Sequence, residues 1–156
     1  MPVQVALSEL EGTYAVCRLP ADAALPGWVL GVSGFVSVTR TAGELSVTCR
    51  ADAVPPGTLA EGEFAALEVE GPLPISMVGV LAAIAGPLAG AGVSVFAIST
   101  YDTDYVLVKR AQLDDACQAL ELAGHRVSRS EAERLQKATG RAGGVVGGPP
   151  RATRTV

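Results

Sequence analysis

The stretch VFAISTYDTDYVLV, Val95 to Val108, decides the fold. Two apolar runs flank a polar knot from Ser99 to Asp104. β-Branched and aromatic residues on both sides of a turn-rich segment predict a β-hairpin. The knot carries Asp102, Asp104, Tyr101 and the hydroxyls of Ser99, Thr100 and Thr103. Asp and Thr side chains satisfy turn amides, which is sufficient reason for them to stand at a reversal. The same groups can also hold a ligand, because a carboxylate at a strand end suits an ammonium or guanidinium group. Catalysis by Asp102 and Asp104 as acid and base has no support, since no general base, lysine or metal cluster accompanies them.

An earlier stretch, FVSVTRTAGELSVTCRADA (35–53), has the same layout around Ala42-Gly43. Laid over VFAISTYDTDYVLVKRAQL at an offset of sixty residues, it needs no gap. Apolar then sits over apolar at Phe35/Val95, Val36/Phe96, Val38/Ile98, Leu45/Tyr105 and Val47/Leu107, with Glu44 over Asp104 and Arg50 over Arg110. A strand-like run precedes each hairpin, TYAVCRL (13–19) and FAALEVEG (64–71). Two copies of β-α-β-β-α in this order predict an α+β protein of tandem ferredoxin-like (βαββαβ) units with antiparallel sheets. We place the first unit at 1–60 and the second at 61–127. Each is too small to stand comfortably alone, so the two are expected to pair. Residues 128–156 are read as a short helix, with Ser130 and Glu133 as a capping box, and a flexible tail rich in Gly, Pro and Arg.

Between the strands lie the helical patterns. ADAALPGWVL (21–30) predicts a short, irregular helix interrupted at Pro26-Gly27, with Trp28 anchoring the first core. In SMVGVLAAIAGPLAGAG (76–92), Ser76 is placed to cap the helix. Met77, Val80, Leu81, Ile84 and Leu88 fall on one face. Pro87 should kink or end the last turn, and Gly90 to Gly92 supply the stop. AQLDDACQALELAGH (111–125) is amphipathic, with Leu113, Ala116, Cys117, Leu120 and Ala123 inward. His125, after Gly124, is expected to cap the helix or lie at the surface.

Composition bounds the function. Hydrophobic residues make up 49% of the 156, so most of the chain is expected to fold. A formal net charge of -4 argues against nucleic-acid binding. Three cysteines without a C-x-x-C pair suit reduced thiols and a cytoplasmic setting, and one histidine excludes a multi-histidine metal site. No charged residue lies between Gly71 and Tyr101, a length that could span a bilayer. Pro72, Pro74 and Pro87 and four glycines split it, so a buried helix and strand are expected and no membrane partner. No catalytic residue, metal or cofactor is assigned.

The loop EGPLPISMVGV (70–80) leads into a helix start, whose free N–H groups attract anions. Its glycines lack Walker or Rossmann spacing. With the carboxylate of the knot it would complement a zwitterion.

The segment EGPLPISMVGVLAAIAGPLAGAGVSVFAISTYDTDYVLVK closely resembles the second half of small bacterial tandem ACT-domain proteins, and YAVCRLPADA with GFVSVTRTA fits their first half. The resemblance covers roughly residues 10 to 127 and implies amino-acid-binding regulatory modules like those of aspartate kinases and the cytosolic arginine sensors of animals. Carried over by position, it implies ligand contacts at Ser76, Met77, Val78 and Gly79 and at Thr100, Tyr101 and Asp104. Asp104 would take the ligand's positive group, and the amides near Val78 and Gly79 its carboxylate. PISMVGV departs from the family's more usual SLTGV, which implies a changed or weakened ligand choice. The expected partners are an amino-acid-like small molecule, a second copy of the chain in a homodimer, and a separate enzyme or regulator. The alternative is a dimerisation or adaptor module whose ligand site is degenerate.

Overall fold

A computed structural model describes residues 2–131 and Leu135. The rest of the expected terminal helix and tail, from residue 132 on apart from Leu135, lies outside the described residues. Eight strands form one sheet. They are β1 (Ala6–Glu9), β2 (Tyr14–Leu19), β3 (Ser37–Arg40), β4 (Leu45–Arg50), β5 (Ala60–Val69), β6 (Phe96–Ser99), β7 (Asp104–Lys109) and β8 (Arg126–Ser128). The helices are α1 (Gly27–Leu30), α2 (Val80–Gly90) and α3 (Leu113–Leu122), with 3₁₀ turns at Ala51–Ala53 and Arg110–Gln112.

The ten-residue β5 organises the sheet. Its first half pairs antiparallel with β2 (Cys17↔Ala60, Tyr14↔Phe64) and its end with β1 (Leu7↔Val69, Glu9↔Leu67). On its other edge it pairs with β7, from Phe64↔Lys109 to Glu68↔Tyr105. β2, β3, β4 and the start of β5 thus make the order β3-β4-β2-β5, the ferredoxin-like arrangement. The end of β5 opens the same pattern again with β6, β7 and β8, except that β1 lies between β5 and β8, parallel to β8. The fold is α+β, with a mostly antiparallel sheet.

The two hairpins repeat as expected, but the offset is corrected. The two hairpin strands and the 3₁₀ turn after them each follow their counterpart by 59 residues: Ser37 to Phe96, Leu45 to Asp104, Ala51 to Arg110. The cross-strand pairs agree, Ser37↔Thr48 with Phe96↔Leu107 and Arg40↔Leu45 with Ser99↔Asp104. An offset of sixty would turn every side chain to the other face. It looked acceptable because the central strand is apolar on both faces: Val106, Leu107 and Val108 are all fully buried. The first unit also has no second helix. The 3₁₀ turn and Pro55-Pro56-Gly57 stand where α3 stands in the second.

One face of the sheet, with Leu7, Ala65, Leu67, Val69, Val106 and Val108, packs on α2 and α3. Val80, Ile84 and Leu88 are the buried stripe of α2, each worth about 1.5–3 kcal/mol of apolar burial. Leu81 and Met77, expected inward, are 40% exposed: Met77 precedes the helix, and Leu81 falls beside the stripe. Cys17, Val29, Val47 and Cys49 form a separate core for the first unit, against which Trp28 packs. Both long helices end in Schellman turns at a left-handed glycine. Val93 N donates to Leu88 O past Gly92, and His125 N to Leu120 O past Gly124.

Two polar devices hold β1 in place, and the sequence reading had assigned neither. The Glu9 carboxylate is fully buried between Arg110 Nη1 (3.4 Å) and Arg129 Nε (3.0 Å), and it accepts from Ser130 N (3.0 Å). His125 is not at the surface; it is 4% exposed. Its Nδ1 accepts from Val5 N (3.2 Å), and its Nε2 donates to Ala83 O (3.0 Å). Ala83 O is the carbonyl that residue 87 would bond in a regular helix, and Pro87 has no N–H to offer. His125 supplies the missing donor, so α2 continues through Pro87 to Gly90.

Candidate functional site

The loop before α2 and the β6–β7 turn meet at one end of the second unit. A backbone bond ties them, Leu73 N to Asp102 O at 2.7 Å. Thr103 Oγ1 donates to Val69 O at 2.5 Å, fixing the turn to the end of β5. The approach is close: a Cβ on Gly71 would stand 3.0 Å from Asp102 O. Within the turn Thr100 does the work the sequence had shared with the aspartates. Its Oγ1 accepts from Thr103 N (3.2 Å) and donates to Thr103 O (2.9 Å).

Between loop and turn lies a cleft of about 370 Å³. Met77, Gly79, Thr100, Tyr101 and Asp104 line it, together with Val80, Leu81 and Ala82 of the first helical turn. Ser76 and Val78, also expected at the site, are exposed on the loop and outside the cleft lining. Nor does Ser76 cap the helix. The N-cap is Gly79, at φ 90°, and no side chain caps it. The first N–H groups of a helix have no partner in their own helix, so an uncapped start leaves this end of the cleft rich in donors. Asp104 contributes the opposite charge, and its Oδ1 accepts from Ser99 Oγ.

The first unit closes its counterpart. At the true spacing Arg40 takes the place of Ser99, and buried Leu45 the place of Asp104. The Arg40 guanidinium donates to Ala21 O and, at 2.6 Å, to Ala23 O in the loop before α1. The first unit therefore has no carboxylate where the second has Asp104, and an arginine of its own is bound to the loop.

The sequence profile of the ACT domain matches residues 59–121, which span β5 to α3. The solved structure of a protein from Agobacterium tumefaciens is 32% identical, with 83% of this chain aligned to 96% of that one and a TM-score of 0.78. The chain belongs to the ACT-domain family. A further profile, described as an N-terminal domain, matches residues 12–57. A protein of unknown function from Vibrio cholerae shares the fold at 23% identity and a TM-score of 0.64, over 77% of this chain and 90% of that one. The regulatory subunit of aspartate kinase from Thermus thermophilus does so at 15% identity and 0.54, over 79% and 99%. No curated protein matches. Among the described residues no helix is long and apolar enough to cross a membrane, and no group of His, Cys, Asp and Glu could hold a metal ion.

Proposed function

We propose that this ACT-domain protein is a non-catalytic regulator that binds a small amino-acid-like ligand in the cleft of its second unit. One observation carries the reading: an uncapped helix start and the Asp104 carboxylate line the same cleft. The N–H groups near Gly79 receive the ligand's carboxylate, and Asp104 its ammonium or guanidinium. Thr100 and Tyr101 complete the turn side. The family's regulatory members support the role, as does the closed counterpart in the first unit, where the same two chain segments are joined by Arg40.

The mouth of the cleft is apolar. Ile75 and Tyr101, both in its lining, are 82% and 84% exposed. That supports a second copy of the chain over the opening, which would bring the ligand to an interface between units. A separate enzyme or regulator would read the change in association. The buried thiols Cys17, Cys49 and Cys117, all free, suit a cytoplasmic setting. The same apolar rim favours the second reading, an adaptor whose cleft holds no metabolite and whose rim takes a partner protein.

Thermal melting against the twenty amino acids separates the two. A ligand at a hundred times its Kd adds about 2.7 kcal/mol to stability. The regulator reading expects a shift with one or two amino acids that disappears in Asp104→Asn. No shift with any of them, in a protein that melts cooperatively, refutes it in favour of the adaptor.

A further inference from the structure

A second cavity, of about 430 Å³, opens where the two units join. Residues from separate parts of the chain build it: Glu11 after β1, Tyr14 in β2, the 33–35 loop, Arg50 at the end of β4, Glu68 in β5 and Tyr105 in β7. One wall is aromatic. Phe35 stacks on Tyr105 with ring centroids 4.2 Å apart and planes at 26°, and it meets Tyr14 edge-on at 6.2 Å. The loop that delivers Phe35 turns at Gly34, φ 83°, where a Cβ would meet Tyr14 Oη at 3.7 Å.

The charges are unequal. Arg50 is already committed to Asp52, Nη2 to Oδ2 at 2.7 Å and Nε to Oδ1 at 3.2 Å. Glu68 is only half used: Tyr105 Oη donates to its Oε1 at 2.9 Å, and Oε2 has no partner among the described residues. Burial, and then Glu68 itself, pushes the Tyr105 phenol up to about 12. It therefore stays a donor and keeps the carboxylate oriented. Glu11 adds a second negative charge at the rim. Arg50 also lines the cavity and feels the charge of Glu11, but its guanidinium is bound by Asp52 outside the lining. The cavity therefore offers two carboxylates, one such arginine and three aromatic rings, and the excess is negative. An aromatic face beside an oriented carboxylate is an arrangement that recognises organic cations.

We propose that this cavity is a second binding site, distinct from the Asp104 cleft, for a small organic cation bearing an ammonium or guanidinium group on an apolar stem. Glu68 takes the charge, and Phe35 and Tyr105 take the stem. The site joins strands of both units, so its occupancy would stiffen their junction.

Agmatine is the probe, since it carries both cationic groups and no carboxylate; hexanoate is the anionic control. Titration followed through backbone amide NMR shifts should move Gly34, Phe35, Glu68 and Tyr105 saturably with agmatine and leave them unmoved with hexanoate. Glu68→Gln, which keeps an acceptor for Tyr105 but no charge, should weaken agmatine about tenfold, equivalent to about 1.4 kcal/mol. Phe35→Leu should weaken it too. Three results overturn the proposal: no saturable shift at these amides, agmatine binding that survives both Glu68→Gln and Phe35→Leu, or saturable binding of hexanoate at the same residues.

Discussion

Removing the imidazole of His125 tests whether one side chain supports both the N-terminal strand and the proline-bearing helix. His125→Ala strips the partner from Val5 N and from Ala83 O, groups now held at 3.2 and 3.0 Å. A polar group left unsatisfied loses about 1–3 kcal/mol. Both groups are only part-buried and water can reach them in part, which sets each near the lower end. The space left by a side chain that is 4% exposed adds a packing loss. We expect a total of about 2–4 kcal/mol in urea denaturation, read as a lower midpoint at constant slope. His125→Phe refills the space without the hydrogen bonds and should recover only the packing part.

Pro87 provides the sharper form of the test. In Pro87→Ala, residue 87 regains an N–H that can donate to Ala83 O within the helix. In that background His125→Ala should cost about 1 kcal/mol less than in the native chain. The coupling exceeds the ~0.3–0.5 kcal/mol scatter of independent sites. Equal losses in the two backgrounds would refute the assignment of His125 as the substitute donor, whatever the single substitutions cost.

Two other outcomes are expected. Glu9→Ala leaves two arginines facing a fully buried gap and should destabilise by about 3–5 kcal/mol in chemical denaturation, with Glu9→Gln costing less because its amide oxygen still accepts from Ser130 N. The Tyr105 phenol is raised from 10.0 to about 12, so the folded state holds its proton more tightly than the unfolded chain; its contribution is complete below pH 10 and lost as pH climbs from 10 to 12, and Tyr105→Phe should flatten that part of the stability curve.

The second unit was legible because its signals are local. The hairpin around Ser99–Asp104, the helix ending at Gly92 and the amphipathic α3 each lie within one run of sequence. Elements whose role depends on distant partners were not. The chain carries inward alternation at Val3, Val5 and Leu7 on its way into β1, but the strand is four residues long and ends in a glutamate. By residue type Glu9 belongs at the surface; Arg110, Arg129 and the Ser130 amide, all over a hundred residues away, make its burial tolerable. His125 was misplaced for the same reason, since its partners are at Val5 and Ala83. The junction cavity left no signal, because its lining comes from separate segments that only the sheet brings together. The one-residue error in the repeat has a different source: when both faces of a strand are buried, hydrophobicity no longer reports which face a residue occupies.

That single residue changes how the two units compare. At an offset of sixty, Glu44 answers Asp104 and both units seem to carry a carboxylate at the turn. At the observed spacing the partner of Asp104 is Leu45, which is 1% exposed, and Glu44 is engaged with Arg18 at 3.2 Å. Arg40 then stands where the second unit has Ser99, and its guanidinium occupies carbonyls of the loop before α1. The same loop and turn of the second unit are joined by a backbone bond alone, Leu73 to Asp102, which consumes neither the helix start nor the carboxylate. The first unit thus uses these positions to hold itself together, while the second leaves them facing a cleft. Repeated topology does not imply repeated sites, and amino-acid binding as proposed here involves one such cleft in each chain.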